Sequence, residues 1–415
     1  MEGQKVKKIL IHSIVFSPDA VSTAYLYNDI ALGFMNRGFK VIVLTSTPHY
    51  NKVHDTLKLQ PLKKYLLGLY HISDFHGIKV IHIPLKKYKS TILRIISFIY
   101  WHFLCLIIGL RIKNINYVLS PSPPLTIGLI SLIIAKKNKA KFIYNIQEIY
   151  PDILIKNNIL KSKILIYFLK KIELFIYKYA CAVTTIDQSF YNKIIDRFED
   201  KRKVKIIPNF VDIDLFKPIT DKVCLPYPFI NDINKSKLLY AGNIGLYQDW
   251  EPLIFAANEL KNSNIEFWII GDGSKKNYLQ KIINDNNLSN IKLFPYQKRE
   301  LMPLIYSSAD IHFILINELM DQDGFPSKVY SIMATSKPLI VVTKENSPIY
   351  NFLNKLDCSI LICKNKNIEF LNSILYLVKN KSMQKKFGEN GLLYIKNNFS
   401  KTKIVNEYVT FISSI

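Results

Sequence analysis

The chain has 415 residues, 49% of them hydrophobic. That is too long for one ordinary core and suits two domains of roughly 200 residues each. Lys and Arg number 56 against 32 Asp and Glu, a net charge of +24. Such a surplus implies an anionic partner (nucleic acid, acidic phospholipid or a phosphorylated small molecule) or a solvated basic face set by a Lys-rich composition. Five cysteines, an odd number without zinc-type spacing, speak against a disulfide framework and fit a reducing cytosol.

Strand-like and helix-like runs alternate from the start. Lys8 to Val15 reads as a first strand; its apolar stretch is too short, and lacks the small-residue cleavage site, for a signal peptide. Ala24 to Asn36 has helical period and stops at Arg37-Gly38, and Lys40 to Thr45 is the next strand. Ile92 to Leu110 is apolar for 19 residues, about 28 Å as a helix, long enough for a bilayer. Arg94 and His102 lie inside it, and it falls between two strands of one sheet, Lys79 to Ile83 and Tyr117 to Ser120. A span there would cut the sheet, so it reads as a crossover helix, buried or facing a membrane. Lys141 to Ile146, Val183 to Thr185 and Val204 to Ile207 continue the alternation.

The pattern restarts after a polar stretch, Lys217 to Lys237. Strands follow at Leu238 to Ala241, Glu266 to Ile270, Ile291 to Phe294, Ile311 to Leu315 and Leu339 to Val342. This predicts an α/β protein of two Rossmann-like doubly wound domains facing each other across a cleft: residues 1–215, and 216–399, with a final helix at about 400–415 packing back on the first. In such sheets ligands sit beyond the carboxyl ends of the strands.

Several segments fall at those ends. In YAGNIGLYQDW, Gly242 and Gly245 follow a strand and precede a helix. Backbone N–H groups and the helix dipole there suit a phosphate, though a plain tight turn has the same spelling. Gly271-Asp272-Gly273 repeats the device after IEFWII. In DQDGFPSKVYSIMA, Pro326 suits a first helical turn. Ser327 and Lys328 then offer a hydroxyl and an ammonium at the helix start, and Asp323 a carboxylate for sugar hydroxyls; a capped helix with an exposed Lys is the plainer alternative. In FIYNIQEIYPD, Glu148 follows a strand and is placed to orient or deprotonate an acceptor hydroxyl, or else simply leads a helix before Pro151. SPSPPL, with Ser122, reads as a rigid cleft wall. The histidines show no metal spacing, and His12 reads as structural.

Segments in order along the chain resemble the retaining family 4 glycosyltransferases of GT-B fold: IVFSPDAVSTAYLYNDIALGFMNRGFKVIVLTSTPHYN, SPSPPL and IQEIYPD in the first half, then VKIIPNFVDIDLFKP (204–218), YAGNIGLYQDWEPLIFAA, IEFWIIGDGSKKNYL, IKLFPYQKRELMPLIYSSADIHFI and FPSKVYSIMATSKPLI. They resemble the branch of WbuB/WcaI-type surface-polysaccharide glycosyltransferases. The resemblance implies a nucleotide-sugar donor in the second domain, an acceptor in the first, no cofactor and no metal. On the donor side it maps Gly242, Asn243, Gly245, Gln248, Gly271, Gly273, Pro295, Pro326, Ser327, Lys328 and Ser331. It makes Glu148 and Asp323 the catalytic candidates, with Ser22, Ser122 and Gln147 on the acceptor side. The departures are specific. Asp323 and Ser331 stand where the family commonly has two glutamates, Asn243 and Gln248 where it has Arg and Lys, and Gln147-Glu148 where it has His-Asp. A first-domain loop that is often Gly-rich reads Asp19-Ala20-Val21-Ser22. Lys328 is then the candidate for the missing positive charge.

Lys161 to Tyr179 interleaves Lys, aliphatic and aromatic residues and, with Lys86 to Arg94, suits an anionic membrane surface. The expected partners are thus a nucleotide-sugar donor, UDP-sugar foremost, a polyprenyl-diphosphate-linked glycan acceptor and the inner face of the cytoplasmic membrane, met peripherally. A nucleotide-sugar epimerase or another enzyme on the same fold is the alternative. A nucleic-acid-binding protein is disfavoured, because aliphatics at helical spacing stand where exposed aromatic platforms are needed.

Overall fold

The computed structural model describes residues 6–49, 54–156, 158–219, 229, 234–317 and 325–415. Contacts divide the chain into two units. One runs to Asn209 and takes back Lys403–Ile415; the other is Phe210–Thr402.

The first unit is built on nine strands: β1 (Lys8–His12), β2 (Lys40–Ser46), β3 (Lys63–Tyr65), β4 (Tyr70–Phe75), β5 (Ile78–Ile83), β6 (Tyr117–Ser122), β7 (Lys141–Ile146), β8 (Ala182–Thr185) and β9 (Val204–Ile206). Their order is β3-β4-β5-β2-β1-β6-β7-β8-β9. The strands from β5 to β9 in that order are parallel, and the β3–β4 hairpin adds two antiparallel strands at the edge. Ile9, Leu10 and Ile11 are all inaccessible to solvent, because helices cover both sheet faces and leave no polar alternation. Strand order reverses between β1 and β6, so their carboxyl ends part there and leave room for a ligand. The hairpin was not expected: KKY is fully exposed and too short to show a period.

The helix Thr91–Arg111 is the crossover from β5 to β6. Trp101, Cys105 and Gly109 are buried on its inner side. Gly109 lets it approach the next helix, Leu125–Asn138, so closely that an added Cβ would lie 2.2 Å from Ile134 Cδ1. Among the described residues it is the one helix long and apolar enough to cross a membrane, yet one side is committed to this core.

The last helix, Lys401–Ser414, buries Ile404, Val405, Tyr408, Val409 and Ile412 at helical spacing. Val405 fills the space beside Gly33. Tyr408 joins a buried polar knot around Asn145, whose Nδ2 donates to the Tyr408 hydroxyl (2.8 Å) and to Thr184 Oγ1 (2.9 Å). Tyr27 and Gln147 both donate to its Oδ1. A Tyr408→Phe variant is expected to lose roughly 1–2 kcal/mol in the first unit's denaturant transition, because one Asn145 proton then loses its acceptor in a dry site.

The second unit carries β10 (Ser236–Ala241), β11 (Ile265–Ile270), β12 (Ile291–Phe294), β13 (Ile311–Leu315), β14 (Leu339–Val342) and β15 (Ser359–Ile362). All are parallel, in the order β12-β11-β10-β13-β14-β15. The reversal falls between β10 and β13, so the ends of these two strands part beside Gly242 and Asn317.

Candidate functional site

The carboxyl ends of β10, β11 and β12 bring Gly242, Gly271 and Pro295 into one row. The two glycine turns pack back to back. Gly242 N–H donates to Ile270 O at 2.9 Å, and Ile244 N–H to Asp272 O at 2.8 Å. Gly242 and Gly271 hold φ of +150° and +152°, where a side chain is strained. A Cβ on Gly271 would fall 1.9 Å from Gly242 O, and one on Gly273 2.3 Å from Ile244 O. Glycine is required here by contact between turns. Gly271→Ala is expected to destabilise the second unit by roughly 2–4 kcal/mol in thermal or denaturant unfolding.

This packing corrects one expectation. The N–H groups of Gly242, Ile244 and Gly245 are engaged inside the protein; that of Gly245 donates to Gln248 Oε1 at 2.8 Å. Gln248 therefore fastens the turn. Asn243 O accepts from the Tyr240 hydroxyl at 2.7 Å. Asn317, at the end of β13, holds the same loop from the other side, its N–H on Tyr247 O at 3.1 Å and its Nδ2 on Leu246 O.

Positive charge comes from Lys328. It opens the helix Lys328–Ala334, with Ser327 as the cap residue and no side-chain cap bond. Pro326 lies before the cap and not in the first turn, a second correction. The Lys328 ammonium stands 3.6 Å from the centre of the Tyr240 ring, an attraction to the ring face. It also lies against Gly242, where an added Cβ would sit 3.3 Å from Nζ. No carboxylate pairs with it among the described residues, and desolvation lowers its pKa to about 7. The side chain as a whole is half-buried, so the ammonium is sunk among protein atoms but reachable. Ser331 is half-buried nearly one turn further along the same helix. Asp323 lies outside the described residues.

In the first unit, Ser122 at the end of β6 donates to the backbone carbonyl of Glu148 at 3.1 Å, tying the turns after β6 and β7 together. Gln147 is clamped at both ends: Nε2 donates to Asn145 (2.7 Å), and Oε1 accepts from Asn209 Nδ2 (2.9 Å). The Glu148 carboxylate has no partner among the described residues, and desolvation raises its pKa above the ordinary carboxylate range. The segment after it is fixed by Arg197, which bridges Asp152 and the buried Glu173. Ser22 is the exposed first residue of the helix Ser22–Asn36. His12 is buried on Ser131 Oγ at 2.8 Å with its pKa lowered to about 3, so it is neutral and structural.

Tyr240, Asn317 and Asn145 were not singled out in the sequence. Tyr240 is one apolar-run residue among many; its role appears only when Lys328, 88 positions later, is laid on its ring.

The arrangement offers a poised cation at a glycine-lined strand end in one unit and, at a strand end in the other, a desolvated carboxylate without a partner among the described residues. Known proteins resemble this chain as follows. Residues 228–393 match the family model described as glycosyl transferases group 1. The putative colanic acid biosynthesis glycosyl transferase WcaI of Escherichia coli K12 is 25% identical over 347 residues, covering 81% of this chain and 83% of that protein. Among solved structures, HepE of Anabaena in complex with UDP superposes with a TM-score of 0.68 at 14% identity, over 98% of this chain and 100% of that one. WaaG, described as a glycosyltransferase involved in lipopolysaccharide biosynthesis, gives 0.61 at 11%, over 98% and 99%. At these identities the solved structures establish the two-unit Rossmann-like fold, GT-B.

Proposed function

We propose that this chain, a GT-B glycosyltransferase resembling WcaI-type enzymes, moves a sugar with retention from a nucleotide diphosphate sugar to a lipid-linked glycan. The donor is a UDP-sugar. The acceptor is polyprenyl-diphosphate-linked, met at the inner face of the cytoplasmic membrane during synthesis of a bacterial O-antigen, capsule or exopolysaccharide. WcaI by its description acts in colanic acid biosynthesis and HepE binds UDP, and both support the assignment.

The observation that carries it is Lys328: an ammonium held over Tyr240 against the Gly242 turn, with no carboxylate partner among the described residues and a pKa lowered to about 7 by desolvation. A diphosphate supplies the missing counter-charge. Transfer breaks the bond from the sugar C1 to the β-phosphate oxygen, through an oxocarbenium-like state. Lys328 stabilises the charge collecting on the departing diphosphate. The acceptor oxygen bonds to C1, and its proton passes to Glu148, whose raised pKa makes it a better base than an ordinary carboxylate. Asp323 and Ser331 serve the sugar and ribose hydroxyls. No metal takes part.

A thermal-shift screen with UDP, GDP, CDP and their sugars, with and without EDTA, tests this. A ligand that binds only the folded protein raises the Tm once it exceeds its Kd. A UDP-specific, EDTA-insensitive rise is expected. A folded sample that responds to no nucleotide would sink the donor assignment, and one whose response needs a divalent ion would sink metal independence.

A further inference from the structure

The first unit presents greasy side chains to solvent along one sheet edge. The hairpin turn Leu66–Leu69 joins β3 to β4, and β4 runs antiparallel to β5 with His71 opposite His82. The turn therefore lies at the carboxyl end of β5. Leu66 and Leu67 both hold positive φ, 45° and 54°, uncommon for leucine, and Leu67 is fully exposed. From the same edge starts the helix Thr91–Arg111. Ile92, Ile95, Ile99 and Phe103, at three- and four-residue spacing, are 54–70% exposed, while Trp101 and Cys105 face the core. The helix Leu125–Asn138 packs between it and Lys163–Tyr179. The third helix also starts at this edge, with Ile164 and Phe168 exposed. Ser122, Gln147 and Glu148 lie at the same edge.

Positive charge dominates the segments of this rim, where Asp152 and Glu173 are both held by Arg197. Residues 84–111 contain Lys86, Lys87, Lys89, Arg94 and Arg111 and no Asp or Glu. Residues 153–179 contain six lysines and one acid, Glu173, which is buried on Arg197. Lys63 and Lys64 precede the hairpin turn. A second copy of the chain would bring the same positive field against itself. An anionic bilayer complements both features, taking aliphatic groups into its interface and lysines at its headgroups.

We propose that this rim is a membrane-docking edge, with the Leu66–Leu67 turn and the outer face of Thr91–Arg111 inserted among the acyl chains of an anionic lipid surface, so that Glu148 faces acceptors held in that surface. It rests on the lipid-linked acceptor reading above and goes further, naming the groups that enter the lipid.

Full-length protein is floated with phosphatidylglycerol-rich and with pure phosphatidylcholine vesicles, as wild type, as Leu67→Ser/Ile95→Ser/Ile99→Ser, and as Lys86→Gln/Lys87→Gln/Lys89→Gln. Each is also checked for its UDP-dependent Tm rise and, by light scattering, for its mass. Wild type is expected to bind the anionic vesicles only. The serine variant should bind at least about tenfold more weakly, as loss of partly buried aliphatic groups requires. The glutamine variant should weaken binding in a salt-dependent way. Wild type that responds to UDP yet ignores anionic vesicles overturns the docking edge and leaves the donor reading standing. So does a serine variant that floats like wild type. A wild-type dimer turned into monomer by the serines assigns the face to a second copy and overturns it too. If the serine variant loses its UDP response, the glutamine variant alone decides.

Discussion

Replacing Lys328 by Ala is expected to weaken nucleotide diphosphate binding by roughly 10–100-fold, the loss typical of a hydrogen bond to a charged group. The sharper signature is protonation. With its pKa lowered to about 7, Lys328 is largely neutral in the empty site at pH 8. A diphosphate beside it favours the charged form, so binding at pH 8 takes up a proton. Calorimetry in Tris and in HEPES should then give heats that differ by the buffers' ionisation enthalpies. Affinity should be flat below pH 7 and fall as pH rises above it. Both effects should vanish in Lys328→Ala. A wild-type heat independent of buffer would remove Lys328 from the diphosphate.

The same group leaves a mark on stability. Its folded pKa lies below the value of a free lysine, about 10.4. Between pH 7 and 10 the unfolded chain therefore holds more protons, and the empty protein gains stability as pH rises through that window. The penalty for burying the ammonium is fully present below pH 7. Lys328→Met should accordingly raise the apo Tm most below pH 7 and least near pH 10.

The sheets were legible because parallel strands buried on both faces read as short apolar runs, such as Ile9-Leu10-Ile11 and Phe267 to Ile270. The β3–β4 hairpin escaped because its first strand is three exposed polar and aromatic residues. β15, Ser359–Ile362, escaped because four residues show no period. The glycine turns could be seen one at a time. That Gly271 must be Gly because Gly242 O stands against it is a contact between turns 29 positions apart, and no local spelling records it. For the same reason the Gly242 and Ile244 amides, expected to face a ligand, are engaged by the neighbouring strand end and turn. The helix Thr91–Arg111 was readable as apolar. Which side faces out depends on Gly109 meeting Ile134.

Glu148→Gln is expected to lower turnover by about 10²–10⁴-fold, the range for loss of a positioned general base, while the UDP-induced Tm rise stays at its wild-type size. That split separates an acceptor-side base from a donor ligand. Glu148 is joined to Ser122 only through its backbone carbonyl, and Gln147 is clamped by Asn145 and Asn209. The turn should therefore hold its shape when the carboxylate becomes an amide. Burial raises the Glu148 pKa, so kcat/KM should fall with decreasing pH at a value above the ordinary carboxylate range. Stability carries the opposite sign from activity. The folded protein favours the protonated acid, so ionisation destabilises it as pH rises through the free-acid range, and the penalty is complete above the raised pKa. Glu148→Gln should thus raise the Tm at pH 7.5 and have a smaller effect near pH 4. A variant that is less active and more stable at neutral pH, with nucleotide binding intact, is what a desolvated catalytic carboxylate demands. A Glu148→Gln protein with wild-type turnover would move the base to another residue.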